Sequence, residues 1–294
     1  YPNSQLIAAG TPKGKNIFRE LYHRALAGEP GYYGKTYTSW DNPWLPEGEV
    51  QRLIDSLPPE AVRQEVYGEF VDVDEGAFRV IPREWLRQAV ERWKASPPPT
   101  GYPTALGLDP ARGGKDKTVI ASRWGSYIGR LEVYPGKSTP DGPSVAALAM
   151  TASSQTTQIN VDVIGIGSSV YDHIKGIHDQ VAPINGAAGS KAVDKSKQFG
   201  YRNLRSQLFW QLREHLDPTS ETKLCLPPDE EMIEELAALS WKLVGGNIYV
   251  NSKDEVKDQI GRSPDKGDAV AYSLYTMTPR FTQVVTRKPK GWYG

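Results

Sequence analysis

Residues 104–124 read TALGLDPARGGKDKTVIASRW. Thr104 to Leu108 is a short apolar run, which predicts a buried strand ending on Asp109. Pro110 to Lys117 is a Gly-rich polar turn. Thr118 to Trp124 predicts a second strand. An acid that closes a buried strand and opens onto such a turn has its carboxylate free for a ligand.

Downstream, Gly129 to Tyr134 predicts a third strand and Pro143 to Ser153 a helix. Ile159 to Ile164 reads as a strand, followed by a helix to about Ile177. Val181 to Ile184 is a further strand. Leu204 to Leu216 is an amphipathic helix, Lys223 to Leu226 a short strand, and Asp229 to Leu239 an acidic helix. Trp241 to Val250 predicts a hairpin turning at Gly245-Gly246-Asn247. A last helix is expected from Asp265 to about Met277. Three strands, then helix, strand, helix, strand, predict an α/β fold with a mixed sheet flanked by helices.

Upstream, residues 5–9 (QLIAA) read as a buried strand. Ile17, Leu21, Ala25 and Leu26 share one helical face. Tyr32 to Trp40 reads as a strand, Glu47 to Leu57 and Pro59 to Gly68 as helices, and Glu69 to Val73 as extended. A helix is expected over Arg83 to Lys94. The Pro/Gly cluster 96–101 is the linker candidate.

Length and composition exclude several classes. The chain has 294 residues, a soft prior for two domains, and 38 % of them are apolar, enough for a sizeable core. The single cysteine, Cys225, excludes an internal disulfide framework and a CxxC zinc site. No apolar run reaches the ~18 residues of a membrane helix, so no membrane partner is expected. Lys plus Arg and Asp plus Glu are both 35, so a nucleic-acid surface has to be a local patch. The opening residues carry no initiator Met and no signal-peptide pattern, which predicts a fragment of a longer protein.

Three acids stand out. Asp109 ends a strand. Asp162 lies inside the apolar stretch NVDVIGIG, where an unpartnered carboxylate is expensive. Asp268 opens an apolar helix, where the helix dipole favours an anion. Oxygen ligands with no nearby His or Cys suit Mg²⁺ or Mn²⁺ rather than zinc. Two such ions about 4 Å apart would clamp a phosphodiester, with Asp109 as the bridge. Each acid taken singly is also an ordinary turn or capping residue. Asp265, three residues before Asp268, is either a further ligand or the helix N-cap. Residues 186–205 form a Gly/Ser-rich, mobile, positive loop with Lys191, Lys195, Lys197, Arg202 and Arg205 against Asp194, suited to a phosphate backbone. Arg112, Lys115 and Lys117 stand beside Asp109. No Walker A motif is present, so ATP hydrolysis is not expected.

Several stretches resemble the large terminase subunit of tailed bacteriophages. Residues 10–18 (GTPKGKNIF) are similar to the coupling segment of its ATPase. Residues 37–46 (YTSWDNPWLP) and 66–71 (VYGEFV) resemble the stretch between motor and nuclease. Residues 107–111, 161–167 and 263–270 resemble the three acidic motifs of its nuclease, and Tyr201-Arg-Asn-Leu-Arg205 before a helix is also typical. The resemblance implies a ribonuclease H-like nuclease over 100–280. It implies a remnant of a P-loop ATPase domain plus linker over 1–95, and a basic tail over 281–294. It implies a Mg²⁺- or Mn²⁺-dependent endonuclease with two ions, cutting concatemeric double-stranded DNA, with Asp109, Asp162 and Asp268 as ligands. It further implies a portal protein and a small terminase subunit as partners, and action in the host cytoplasm, transiently at the procapsid portal vertex. A homo-oligomer on the portal and a monomer in isolation would follow. A Holliday-junction resolvase or transposase of the same fold, and a non-catalytic docking module for DNA or portal, are the competing readings.

Overall fold

The computed structural model describes residues 4–12, 17–57, 59–70, 78–111 and 116–277. The central sheet forms where the sequence concentrates its buried strands. Strand β1 (Ala105–Asp109) is buried along its whole length. It pairs antiparallel with β2 (Lys117–Trp124) and parallel with β5 (Gln158–Asp162), which pairs parallel with β6 (Val181–Ile184). On the other edge of β2 lie β3 (Tyr127–Ile128) and β4 (Glu132–Pro135), both antiparallel. A β-hairpin extension followed by parallel strands is the ribonuclease H-like mixed sheet expected from the sequence.

The third strand expected over Gly129 to Tyr134 is corrected: pairing falls on Tyr127–Ile128 and Glu132–Pro135, with 129–131 between them outside either strand. Residues 129–131 face only residues 121–122 of β2, because Ile128 pairs with Arg123 and Glu132 with Ile120. One extra residue on one strand is a β-bulge, which bends and twists the edge.

The two faces of the sheet are covered differently. Leu106, Leu108, Ile159 and Val161 pack with helices α5 (Gly142–Thr151) and α6 (Gly167–Lys175). The opposite face of β1 carries Gly107. A Cβ there would stand 2.0 Å from the Ala269 carbonyl oxygen and 2.4 Å from the Ser273 nitrogen. Helix α10 (Asp265–Ser273) therefore lies directly on the strand backbone, and every one of its residues is buried. Asn160 of β5 clamps the end of this helix by donating to the Tyr272 and Tyr275 carbonyls at 2.7 and 3.0 Å. The helix stops at Ser273 rather than Met277, since Gln158 also holds the following residues.

A second, three-stranded sheet, β7 (Gly200–Tyr201), β9 (Asn247–Val250) and β8 (Trp241–Val244), packs on α7 (Leu204–Leu216). Its hairpin turns on Gly245 and Gly246, both at positive φ, as a tight right-twisted hairpin requires. Helices α8 (Glu230–Ala238) and α9 (Lys253–Ile260) complete this side.

Ahead of the sheet come α1 (Ile17–Leu26), α2 (Glu47–Ser56), α3 (Pro59–Glu65) and α4 (Arg83–Ala95). Helix α4 is joined to the sheet layer. Leu226 N–H donates to the Ala89 carbonyl, Trp93 Nε1 to the Ile128 carbonyl and Arg92 to the Leu224 carbonyl. Val80 pairs with Leu239 ahead of it. The segment 96–101 thus crosses the surface without dividing two cores.

The strands expected at 5–9 and 32–40 are corrected. Residues 5–9 form no strand, with Leu6 81 % and Ile7 88 % exposed, and 32–40 form none either, ending in a 3-10 turn at Ser39–Asp41. Strand propensity needs an edge to pair with, and neither segment lies on one. Residues 223–226 contribute a single bridge from Cys225 to Tyr127 rather than a strand. Residues 71–77 and the basic tail lie outside the described residues.

Candidate metal centre

Asp109 and Asp162 are the last residues of neighbouring parallel strands. Leu108 is level with Val161, so the two acids stand side by side at about the 4.8 Å strand spacing. Asn160, two residues before Asp162, and Gly107, two before Asp109, both face α10. Alternation along a strand therefore turns both carboxylates toward that helix. Helix α10 delivers Asp265 and Asp268 from its first turns, one helical step apart.

What gathers these carboxylates is a cation the sequence reading missed. Lys253, the first residue of α9, places its Nζ 2.7 Å from Asp109 Oδ2, 3.1 Å from Asp265 Oδ1 and 3.2 Å from Asp268 Oδ2. Arg205, from the first turn of α7, donates from Nη1 to Asp268 Oδ1 at 2.5 Å and from Nε to the Asn251 carbonyl at 3.1 Å. Asp162 is held separately. Its Oδ1 accepts the Ile164 N–H at 2.9 Å and its Oδ2 the Tyr272 hydroxyl at 3.0 Å.

Burial pushes the Asp109 carboxyl well above the usual carboxylate range; Lys253 opposes this, and the neighbouring acids add to it. Burial also raises Asp162, more than its two donors lower it. Asp268 goes the other way. Burial is its largest single influence, yet Arg205 and Lys253 together outweigh it and keep the carboxyl below its usual value. The difference between Asp109 and Asp268, which share Lys253, is Arg205. The same carboxylates hold the Lys253 ammonium far above the usual lysine range. Beneath the site, Glu235 of α8 accepts the Gly267 N–H at 2.8 Å, and burial lifts its carboxyl to about 8.

Among the described residues no three acidic, His or Cys side chains form a ready metal cage. The ammonium occupies the place where the carboxylates converge. The donor set nevertheless fits a hard divalent cation, being all oxygen. Asp268 Oδ2 supports this fit, since it is buried and its charge is met by the Lys253 ammonium at 3.2 Å.

Asp265 is not the N-cap of α10. Pro264 precedes the helix, and Asp265 is its first residue, bonded by the Ser263 hydroxyl and paired with Lys253. Arg112 and Lys115 lie outside the described residues. Lys117 is engaged by Glu231 at 3.0 Å. Lys191, Lys195, Lys197 and Arg202 are exposed on the 186–205 segment. That segment is braced rather than loose: buried Asp194 accepts the N–H groups of Ser196, Gln198 and Phe199. Arg205 does not belong to this exposed basic set, because it turns inward. The signal in the sequence that points to Lys253 is the capping box Ser252 to Glu255, which starts α9.

No protein-family model matches the chain, and no curated protein sequence does. Solved structures do. The nuclease domain of the large terminase subunit gp2 of bacterial virus Sf6 aligns with a TM-score of 0.54 at 20 % identity, over 68 % of this chain and 100 % of that one. A mutant of that domain with manganese and beta-thujaplicinol gives 0.56 at 18 % identity, over the same shares. The mutant with calcium gives 0.55 at 19 %, again over the same shares. This chain therefore has the fold of a terminase nuclease domain.

Proposed function

We propose that this chain is a divalent-metal-dependent endonuclease acting on double-stranded DNA, as the cutting part of a phage genome-packaging terminase. The observation that carries the reading is the convergence of Asp109, Asp265 and Asp268 on one ammonium, with Asp162 on the adjoining strand. The fold likeness adds weight, and a mutant of the Sf6 domain has been solved with manganese.

Asp109, Asp162 and Asp268 would hold Mg²⁺ or Mn²⁺, with Asp265 beside them. When bound, such ions supply Lewis acidity toward a phosphodiester and toward water. The chain's own residues do the rest. Tyr272 and the Ile164 N–H hold Asp162 in one orientation. Lys253 holds Asp109, Asp265 and Asp268 together and would have to withdraw for these acids to hold a divalent cation. Its side chain is 34 % exposed, so it has solvent to withdraw into. Lys191, Lys195, Lys197 and Arg202 give an exposed positive surface, which binds phosphates with little sequence preference. Two ions, a portal protein and a small subunit as partners, assembly on the portal and action at the procapsid in the host cytoplasm belong to the same reading.

The test is nicking of supercoiled plasmid. Wild-type protein with Mn²⁺ or Mg²⁺ converts it to nicked and linear forms, and EDTA stops the reaction. Asp109→Asn lowers the rate by about 100-fold or more while gel-shift binding persists. Cleavage that survives EDTA, or that Asp109→Asn leaves intact, overturns the proposal.

A further inference from the structure

The centre contains two cations of different kinds. Lys253 reaches it from the rim on a flexible stem, whereas the Arg205 side chain is only 9 % exposed. Three contacts fix the guanidinium. Nη1 bonds Asp268 Oδ1, Nε bonds the Asn251 carbonyl, and its plane lies over the Phe209 ring with Cζ 4.5 Å from the centroid. A guanidinium is charged at all accessible pH and cannot rotate out of such a slot as an ammonium on a flexible stem can. Asp268 is fully buried, so losing its fixed partner would leave its charge to the Lys253 ammonium alone.

The two oxygens of Asp268 are consequently unequal. Oδ1 is committed to Arg205. Oδ2 is buried and pairs at 3.2 Å with the Lys253 ammonium, which also reaches Asp109. We infer that Arg205 is a positioning residue that keeps Asp268 a one-oxygen donor toward a divalent cation, while Lys253 is the exchangeable counter-charge. This rests on the metal-dependent reading above and deepens it, because it assigns the site a preference among cations. Mg²⁺ requires a near-octahedral shell at about 2.1 Å, whereas Ca²⁺ accepts six to eight oxygens and bidentate carboxylates. An Asp268 with one oxygen tied down favours the smaller, stricter ion. Freeing Oδ1 opens bidentate binding and favours Ca²⁺.

The experiment compares the full chain with Arg205→Gln and Arg205→Lys. Folding is checked by circular dichroism and a thermal melt. Mn²⁺ binding is followed by electron paramagnetic resonance, with Ca²⁺ as competitor, and nicking is measured at saturating Mg²⁺. In Arg205→Gln, Mn²⁺ still binds, Ca²⁺ competes at least about 5-fold better than in wild type, and nicking falls at least about 10-fold. Arg205→Lys keeps the charge but loses the planar fork, and shifts the competition ratio in the same direction by less. A merely structural role would lower the melting temperature and leave the Ca²⁺/Mn²⁺ ratio of the folded protein unchanged. An unchanged ratio overturns the inference, and Arg205→Lys decides it if Arg205→Gln does not fold. Wild type that binds no Mn²⁺ would instead overturn the metal-dependent reading itself.

Discussion

Replacing Lys253 with Ala removes a group that touches three carboxylates. Its Nζ lies 2.7, 3.1 and 3.2 Å from them. Unit charges 3 Å apart attract by about 5 kcal/mol at an effective dielectric near 20, before desolvation and screening are subtracted. Removing one partner of a buried pair costs about 3–5 kcal/mol. Because Lys253 is 34 % exposed, the cost is discounted to about 2 kcal/mol. In EDTA the variant should therefore melt roughly 4–8 °C lower than wild type. Divalent cation reverses the balance. The variant has no ammonium to displace, so Mn²⁺ should bind about 10-fold more tightly, worth about 1.4 kcal/mol. A tighter-binding ligand raises the stability of the folded state by mass action. The assay is a thermal melt across a Mn²⁺ titration, paired with calorimetric binding. The gap between variant and wild type should shrink as Mn²⁺ rises. A gap that stays constant from EDTA to millimolar Mn²⁺, or a weaker Mn²⁺ affinity in the variant, refutes the idea that the ammonium stands in the cation's place.

Glu231 accepts from Lys266 at 2.8 Å and Lys117 at 3.0 Å, and these partners lower its carboxyl from 4.5 to about 2. A folded value below the unfolded one contributes stability that is present above about pH 4.5 and lost as pH falls toward 2. Glu231→Gln should thus cost about 2 kcal/mol at pH 7 in urea melts, and the difference should narrow by pH 3.5. Gly107→Ala puts a methyl group 2.0 Å from the Ala269 carbonyl oxygen. It should destabilise by about 3 kcal/mol or more, read as a lower urea midpoint, and should abolish nicking by moving Asp268 away from Asp109. Tyr272→Phe removes the donor to Asp162 Oδ2 while the Ile164 N–H remains. Stability should change by about 1 kcal/mol, while nicking falls about 10-fold.

The acids of this centre were readable one at a time because each breaks a local pattern. Asp109 ends a fully buried strand, Asp162 stands in an apolar stretch of sequence and ends β5 rather than lying inside it, and Asp268 lies in the first turn of a helix with no exposed face. The hairpin at Gly245-Gly246 was readable for the same reason, since positive φ demands those residues. The cations are another matter. Lys253 begins a polar helix whose only buried residue is Val256, and a lysine there violates no expectation. Arg205 sits among exposed basic residues and differs from them because it lies in the first turn of α7, where it is buried against Asp268 and the Asn251 carbonyl. The strands expected at 5–9 and 32–40 failed on the same point, because propensity was local and no pairing edge was within reach. Sequence pattern registers a residue that is costly where it stands. It is silent on a residue that looks ordinary and becomes important only through what the fold brings to it. In this centre the costly residues are the acids, and the ordinary ones are Lys253 and Arg205, which let four acids remain together.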